Sequence, residues 1–333
     1  MTKVVLLDHG SGGRASQELI EGLFLRHLGR PEQLLDAAVL KAPSERLAFT
    51  TDSFVVDPIF FPGGDIGSLA VHGTINDLAM VGADPLFLSA GFILEEGLSL
   101  EELEAVVASM ARAARSAGVC IVTGDTKVVP RGKADRIFIN TAGIGLLPQG
   151  VSLGPDRIRS GDEIILSGPI AEHGLAVLSA REGLELEGLS SDTAPLHALV
   201  KALLSGLGED LHALRDPTRG GLATALNELA ETSGSRFIVF EDTVPIRDEV
   251  RFGCELLGLD PLYLANEGRL IAFVSRGRGK EALQILKEEG TNPESAIIGY
   301  VDSHDRAQVI LKTVYGGERI LPMLSGEPLP RIC

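Results

Sequence analysis

The sequence predicts an α/β protein of two domains, and three observations predict it. Strand-like and helix-like segments alternate along most of the chain, which argues for helices covering a sheet. The 333 residues suffice for two cores. A stretch near the middle, LLPQGVSLGPDRIRSGD, is punctuated by Pro148, Gly150, Gly154 and Pro155, as a domain boundary would be.

Taken in order, RLAFTTDSFVV reads as a strand, DIGSLAVHGTINDLAMVGA as a helix ended by Gly82, and PLFLSAGFIL as a second strand. SLEELEAVVASMARAARSAG is an amphipathic helix whose Ser99 and Glu102 carry the spacing of a capping box; the strands VCIVTGD and RIFINTAGIGLL follow. Beyond the boundary, EIILSG leads into a helix, GGLATALNELAETSG forms another, RFIVFED is a strand, GKEALQILKEEG a helix and QVILKTVY a late strand. This divides the chain into domains at 1–150 and 151–320 and a tail at 321–333. The tail holds Pro322, Pro328 and Pro330, each without an amide donor and with a fixed φ, so it is expected to be an extended, mobile arm.

Composition narrows the function. With 30 basic and 46 acidic side chains the formal charge is −16, which disfavours nucleic acid and anionic membrane surfaces as partners. No apolar run reaches the ~18 residues of a membrane span and no signal peptide is recognisable, which points to a cytoplasmic protein. Cys120, Cys254 and Cys333 are far apart, without metal-binding spacing or a disulfide framework. The first two lie in apolar surroundings and are expected in the core. The third is the last residue.

The chemistry-bearing residues are acidic groups beside turns and element ends: Asp52, Asp65, Asp77, Asp125 and Asp216. A Walker A motif is absent, and GDTK at 124–127 has the wrong spacing for one. Aspartates gathered from distant segments can instead hold Mg2+ and, through it, the phosphates of ATP. Each has a bland reading too, Asp65 as a helix cap and Asp216 before Pro217 as a turn former. In TINDLAMVG, Asn76 and Asp77 interrupt an apolar helix, and a buried carboxylate needs a partner or a cation. DPTRGGLATALNE places Gly220 and Gly221 where a helix begins, with amides that can face a phosphate. HGSGGR, with His9, Gly10, Gly12 and Gly13, is a donor-rich turn of similar promise.

These motifs, HGSGGR, TTDSFVVDPIFFPGGDIG, LAVHGTINDLAMVGA, GDTKVV, DPTRGGLATALNE, ANEG and the terminal PRIC, resemble in order and over nearly the whole chain the HypE family of hydrogenase maturation factors. Several alone would indicate only the wider superfamily of aminoimidazole ribonucleotide synthetase, selenophosphate synthetase and thiamine-monophosphate kinase. The resemblance implies a two-domain aminoimidazole ribonucleotide synthetase (PurM)-like fold, with a mixed sheet in the N-terminal domain and the N-terminal domains of two chains pairing into a shared barrel. It implies ATP-dependent conversion of a carbamoyl group on Cys333 into a cyano group. HypF would supply the carbamoyl group, and iron on a HypC–HypD scaffold would receive the cyanide for a nickel-iron hydrogenase. By the same resemblance Asp52, Asp77 and Asp216 match magnesium-holding positions, with Asp65 and Asp125 similar. Side-chain type and the motif match make Glu267 the preferred proton acceptor and Lys127 a second candidate that can bind phosphate instead. Two rivals predict different chemistry: a small-molecule kinase would turn over without Cys333, and a noncatalytic thiol carrier would not hydrolyse ATP.

Overall fold

The computed structural model describes residues 4–6, 9, 18–29, 46–184, 186–289, 294–303, 306–324 and 331–333. Gly10, Gly12 and Gly13 of HGSGGR, and Pro328 and Pro330 of the tail, lie outside the described residues.

After a π-helical turn, Ile20–Phe24, running into α1 (Leu25–Leu28), the first sheet is built from β1 (Leu47–Phe54), β4 (Asp84–Glu95), β5 (Cys120–Val129) and β6 (Ile137–Leu146), in the order β1-β6-β4-β5. Only β4 and β5 run parallel. Between β1 and β4 lie the short hairpin β2 (Phe60–Phe61) and β3 (Gly64–Asp65) and helix α2 (Ile66–Met80); α3 (Leu100–Ser116) joins β4 to β5. Both helices pack on one face, burying Phe54, Phe92, Ile139, Leu69, Val106 and Met110. The other face is open, and Phe49 on it is 71% exposed.

The second sheet comprises β7 (Glu163–Leu166), β8 (Leu211–Arg215), β9 (Arg236–Phe240), β10 (Ile271–Val274), β11 (Ala296–Asp302), β12 (Gln308–Lys312) and β13 (Glu318–Ile320), in the order β13-β12-β9-β11-β7-β10-β8. Only β12 and β9 pair in parallel. Helices α4 (Glu172–Glu182), α6 (Gly221–Ser233) and α7 (Asp248–Leu257) supply side chains to the core on one face. Those of α5 (His197–Leu207) and α8 (Gly279–Glu289) fill the other. Accordingly β7 is apolar on both sides: Ile164 and Leu166 enter one core and Ile165 the other.

Helix α2 explains how the two units meet. It is apolar almost all round and lies between the first sheet and α3 on one side and α5 and β8 on the other. Its Ala79 and Met80 belong to the second unit's core. Its His72 and Asn76 accordingly reach across an interdomain seam, to Thr193 Oγ1 and to the Ala194 and Glu267 carbonyls.

Two local readings need revision. Ser99 does cap α3, accepting the Glu101 amide at 3.2 Å, but the Glu102 carboxylate reaches Arg136 instead of closing a capping box. A guanidinium outcompetes the backbone amide for that carboxylate. Cys120 is exposed at the start of an edge strand, whereas Cys254 is buried as expected and its thiol is pushed up to about 11 by burial. Among the described residues no helix is long and apolar enough to cross a membrane.

Candidate active site

Alternation along β1 turns Thr50, Asp52 and Phe54 toward α2. Gly73 allows the approach: a Cβ there would stand 3.0 Å from the Phe54 ring and 3.7 Å from Asp52 Oδ2. One turn further along α2, Asp77 Oδ2 accepts a hydrogen bond from Thr50 Oγ1 at 2.8 Å. Asp216, directly after β8, faces the same seam from the second unit, and Glu267 joins it from the loop before β10.

These four carboxyl groups feel one another. Burial comes first in raising Asp77, followed in that direction by Asp52. Asp216 is pushed up to about 6 by burial, then by Asp77 and Asp52. Glu267 is raised well above the usual carboxylate range by burial and then by Asp216, Asp192, Asp52 and Asp77. Asp52 is raised by burial and partly relieved by the Ser53 amide and by Arg219. The cluster is thus short of positive charge, and a divalent cation with hard oxygen ligands fits its donor set. Among the described residues no group of three or more His, Cys, Asp or Glu side chains is drawn together closely enough to hold a metal ion.

A cavity of about 520 Å³ opens beside the cluster. Asp77 and Asp216 form part of its wall, and Phe49, Met80, Leu153 and Leu229 give it an apolar lining. The size is that of a small-molecule site. Near Asp216, Gly220 and Gly221 open α6 with φ of +76° and +63°. A Cβ on Gly221 would lie 2.6 Å from the Leu264 carbonyl oxygen, so glycine is required for α6 to start against the segment leading to Glu267.

The backbone of Glu267 is clasped from two sides. Its N–H donates to Asp192 Oδ1 at 3.2 Å, and the Gly268 N–H donates to Asp192 Oδ2 at 3.0 Å. Its carbonyl accepts from Asn76 Nδ2 at 3.2 Å. Next to it, Asn266 Nδ2 donates to Pro217 O at 2.9 Å, tying ANEG to DPTRGG.

The C-terminal tripeptide ends in this seam. Val55 N–H donates to Cys333 O at 3.0 Å, Asp57 N–H to Arg331 O at 3.2 Å, and Arg331 Nε to Val55 O at 3.0 Å. Ile332 is buried in the first core. The Cys333 thiol is pushed up to about 12, first by burial and then by Glu267, with Arg219 opposing. An arm expected to be mobile therefore has its tip seated beside Asp52, Glu267 and Arg219.

Not every expected residue comes together here. Asp65 is a helix cap: it accepts the Gly67 and Ser68 amides at 2.7 and 3.2 Å, and Ser68 returns the bond. Twelve helical residues, about 18 Å of rise, separate it from Asp77, so the two cannot share an ion. Asn76 is not available to a nucleotide, since its amide group is consumed by Ala194 O, Glu267 O and the Leu196 N–H, the last at 2.8 Å. Asp125 and Lys127 pair with each other at 2.8 Å on β5, three strands from β1 and on the open face. His9 Nδ1 accepts the Leu6 amide at 2.9 Å. Conversely, Arg219, Thr50, Asp192 and His173 belong to the site or its support. Arg219 and Thr50 stand inside motifs read for other residues; Asp192 and His173 carry no local signal.

Comparison with known proteins identifies the family. The N-terminal and C-terminal domains of the AIR synthase related protein family match residues 35–147 and 159–312. Over 332 residues the chain is 53% identical to the carbamoyl dehydratase HypE of Azotobacter vinelandii, covering 99% of this chain and 97% of that one. The chain belongs to the HypE family. A solved HypE in complex with ATP is 55% identical, with a TM-score of 0.95 over 98% of this chain and 99% of that one. HypE from a HypE–HypF complex is 44% identical, with a TM-score of 0.81 over 94% and 100% of the two chains. The PurM-like fold expected from the motifs is thereby established.

Proposed function

We propose that this chain is a carbamoyl dehydratase of hydrogenase maturation that acts on its own C-terminus, converting an S-carbamoyl group on Cys333 into an S-cyano group at the expense of ATP. The observation that carries this reading is the seating of the last residue against Glu267 and Arg219, beside a carboxylate cluster and a small-molecule cavity.

The chemistry explains the parts. Loss of water from R–S–CO–NH2 would expel oxide or hydroxide, both poor leaving groups. Attack of the carbamoyl oxygen on the γ-phosphorus forms an O–P bond and releases ADP. Nitrogen then gives up its protons, the C–O bond breaks with its electrons leaving on phosphate, and C≡N remains. The balance is R–S–CO–NH2 + ATP giving R–S–C≡N + ADP + phosphate + H+. Asp52, Asp77 and Asp216 would hold Mg2+, which would supply the positive charge that the phosphoryl oxygens and the carboxylate cluster both call for. Glu267, buried and surrounded by anions, has the raised proton affinity suited to a base acting on the carbamoyl nitrogen. Arg219 faces the sulfur and can hold negative charge building nearby. The Gly221 N–H donates to Thr218 O at 2.9 Å, so of the two glycine amides that open α6 only that of Gly220 is left for a phosphate-binding role.

In this reading residues 1–150 bind ATP and dimerise, residues 151–320 form the second domain, and residues 321–333 are the arm. The open face of the first sheet, with Leu47, Phe49 and Ile93 exposed, fits a homodimer interface. Asp125 and Lys127 share that face, so they serve a site only across such an interface. HypF as carbamoyl donor, a HypC–HypD complex as acceptor and a cytoplasmic setting complete the proposal. Its test is ADP release on mixing with HypF, carbamoyl phosphate and Mg-ATP. Release attributable to this chain should match the carbamoylated tail and vanish in Cys333→Ser; a Ser variant with undiminished release would point to a small-molecule kinase instead.

A further inference from the structure

Residues 190–196, SSDTAPL, link the two partners of the proposed reaction. Ser191 is anchored by its N–H to Pro62 O at 2.8 Å, and its Oγ, which accepts the Thr193 N–H at 3.1 Å, lies 2.8 Å from His173 Nδ1. His173 is wholly buried, and its Nε2 is 2.9 Å from Ile332 O. Burial lowers the proton affinity of this ring, so it is neutral and carries a single proton. A carbonyl only accepts, so that proton sits on Nε2, and Nδ1 accepts from the Ser191 hydroxyl. Ser191 thereby satisfies Nδ1 and holds in place the ring that grips the tail one residue before Cys333. The next residue, Asp192, holds the backbone of Glu267. Farther along, Ala194 O and the Leu196 N–H are fastened to Asn76. One pinned segment thus governs where the tail ends and where the carboxyl stands.

We propose that Ser191 and His173 form a tail clamp, positioning residues that hold the Ile332 carbonyl so that the group on Cys333 lies against Glu267. The clamp rests on the reading that Cys333 carries the reacting group. It also implies that the tail leaves for other partners by breaking the His173–Ile332 bond, while the ring and Ser191 stay in place.

The test uses full-chain His173→Ala, His173→Gln and Ser191→Ala, with two readouts. The first is maleimide labelling of the three cysteines, followed by peptide mass spectrometry. Labelling needs thiolate, and a seated thiol near pKa 12 scarcely ionises, so Cys333 reacts through its undocked state. Losing the donor and orphaning a buried carbonyl should speed Cys333 labelling about tenfold or more in His173→Ala. Glutamine, whose Nε2 is also a donor, should stay within about threefold of the parent protein. Cys120, already exposed, and Cys254, which is buried, should label as before and report an intact fold. The second readout is single-turnover dehydration of the carbamoylated chain, which should fall in His173→Ala and return in His173→Gln. Unchanged Cys333 labelling with Cys254 still protected would overturn the clamp, as would a glutamine variant no better than alanine. If His173→Ala exposes Cys254, Ser191→Ala decides: faster Cys333 labelling supports the clamp and an unchanged rate refutes it. Should the parent chain never dehydrate its tail, the functional reading fails while the labelling result still stands.

Discussion

Replacing Glu267 by glutamine separates the proposed base from everything that holds it. The bonds to Asp192 and Asn76 use the backbone N–H and carbonyl of residue 267, so the substitution leaves that clasp intact. The lost carboxyl is one that folding penalises: it binds protons more tightly in the folded chain than in the unfolded one. Above the ordinary carboxylate pKa of about 4.3 the folded state therefore holds more protons than the unfolded state, and stability falls as pH rises through that window. Glu267→Gln should accordingly melt at or above the parent temperature at neutral pH, so lost activity cannot be blamed on unfolding. A general base contributes about 10²–10⁴-fold, or roughly 3–5 kcal/mol of barrier. The assay is rapid-quench single turnover of carbamoylated protein with Mg-ATP, with the melting curve measured alongside. A glutamine variant dehydrating at the parent rate would refute the assignment, and one that melted well below the parent would refute the electrostatic argument.

Three further outcomes follow from the same geometry. Thr50→Val keeps the side-chain shape but removes the donor that orients Asp77, and should raise the Mg2+ concentration for half-maximal turnover by about 10–100-fold, read from a magnesium titration. His72, held down to about 4 by burial, binds fewer protons folded than unfolded below the ordinary histidine value of 6.5, so it contributes stability that is lost as pH falls from 6.5 to 4. The loss should reach roughly 3 kcal/mol and disappear in His72→Gln, as measured by urea unfolding across that range. Phe49→Asp places a charge on the open face and should shift the particle from dimer to monomer in light scattering; an unchanged dimer would move the interface elsewhere.

Which residues could be read in advance follows from how local their partners are. Alternation in RLAFTTDSFVV and the 3.6-residue stripe of α3 depend on neighbours a few positions away, and both are legible. β8 and β10 are short and buried on both faces, so they show no alternation to detect. Asn76 and Asp77 stand out as polar residues in an apolar helix, but adjacent helical positions diverge by about 100°. One meets the 194–196 segment and the other Thr50, a division that only the tertiary contacts decide. Asp65 and Ser68 do carry a local capping signature, which identifies that aspartate as structural even though its type suits a metal. Asp125 and Lys127, two apart on a strand, must share a face; that the face is the open one depends on where the helices pack. The docking of residues 331–333 is the least legible feature, because their partners are Val55, Asp57 and His173, far away in sequence.

The central claim is that this chain's own last sulfur carries the group being dehydrated. It is tested most directly by mass spectrometry of the C-terminal peptide after carbamoylation, with and without Mg-ATP. Carbamoylated Cys333 should lose one water only when Mg-ATP is present. A carbamoyl adduct that keeps its mass while ATP is consumed, or nitrile formation in a chain whose Cys333 is serine, would contradict it.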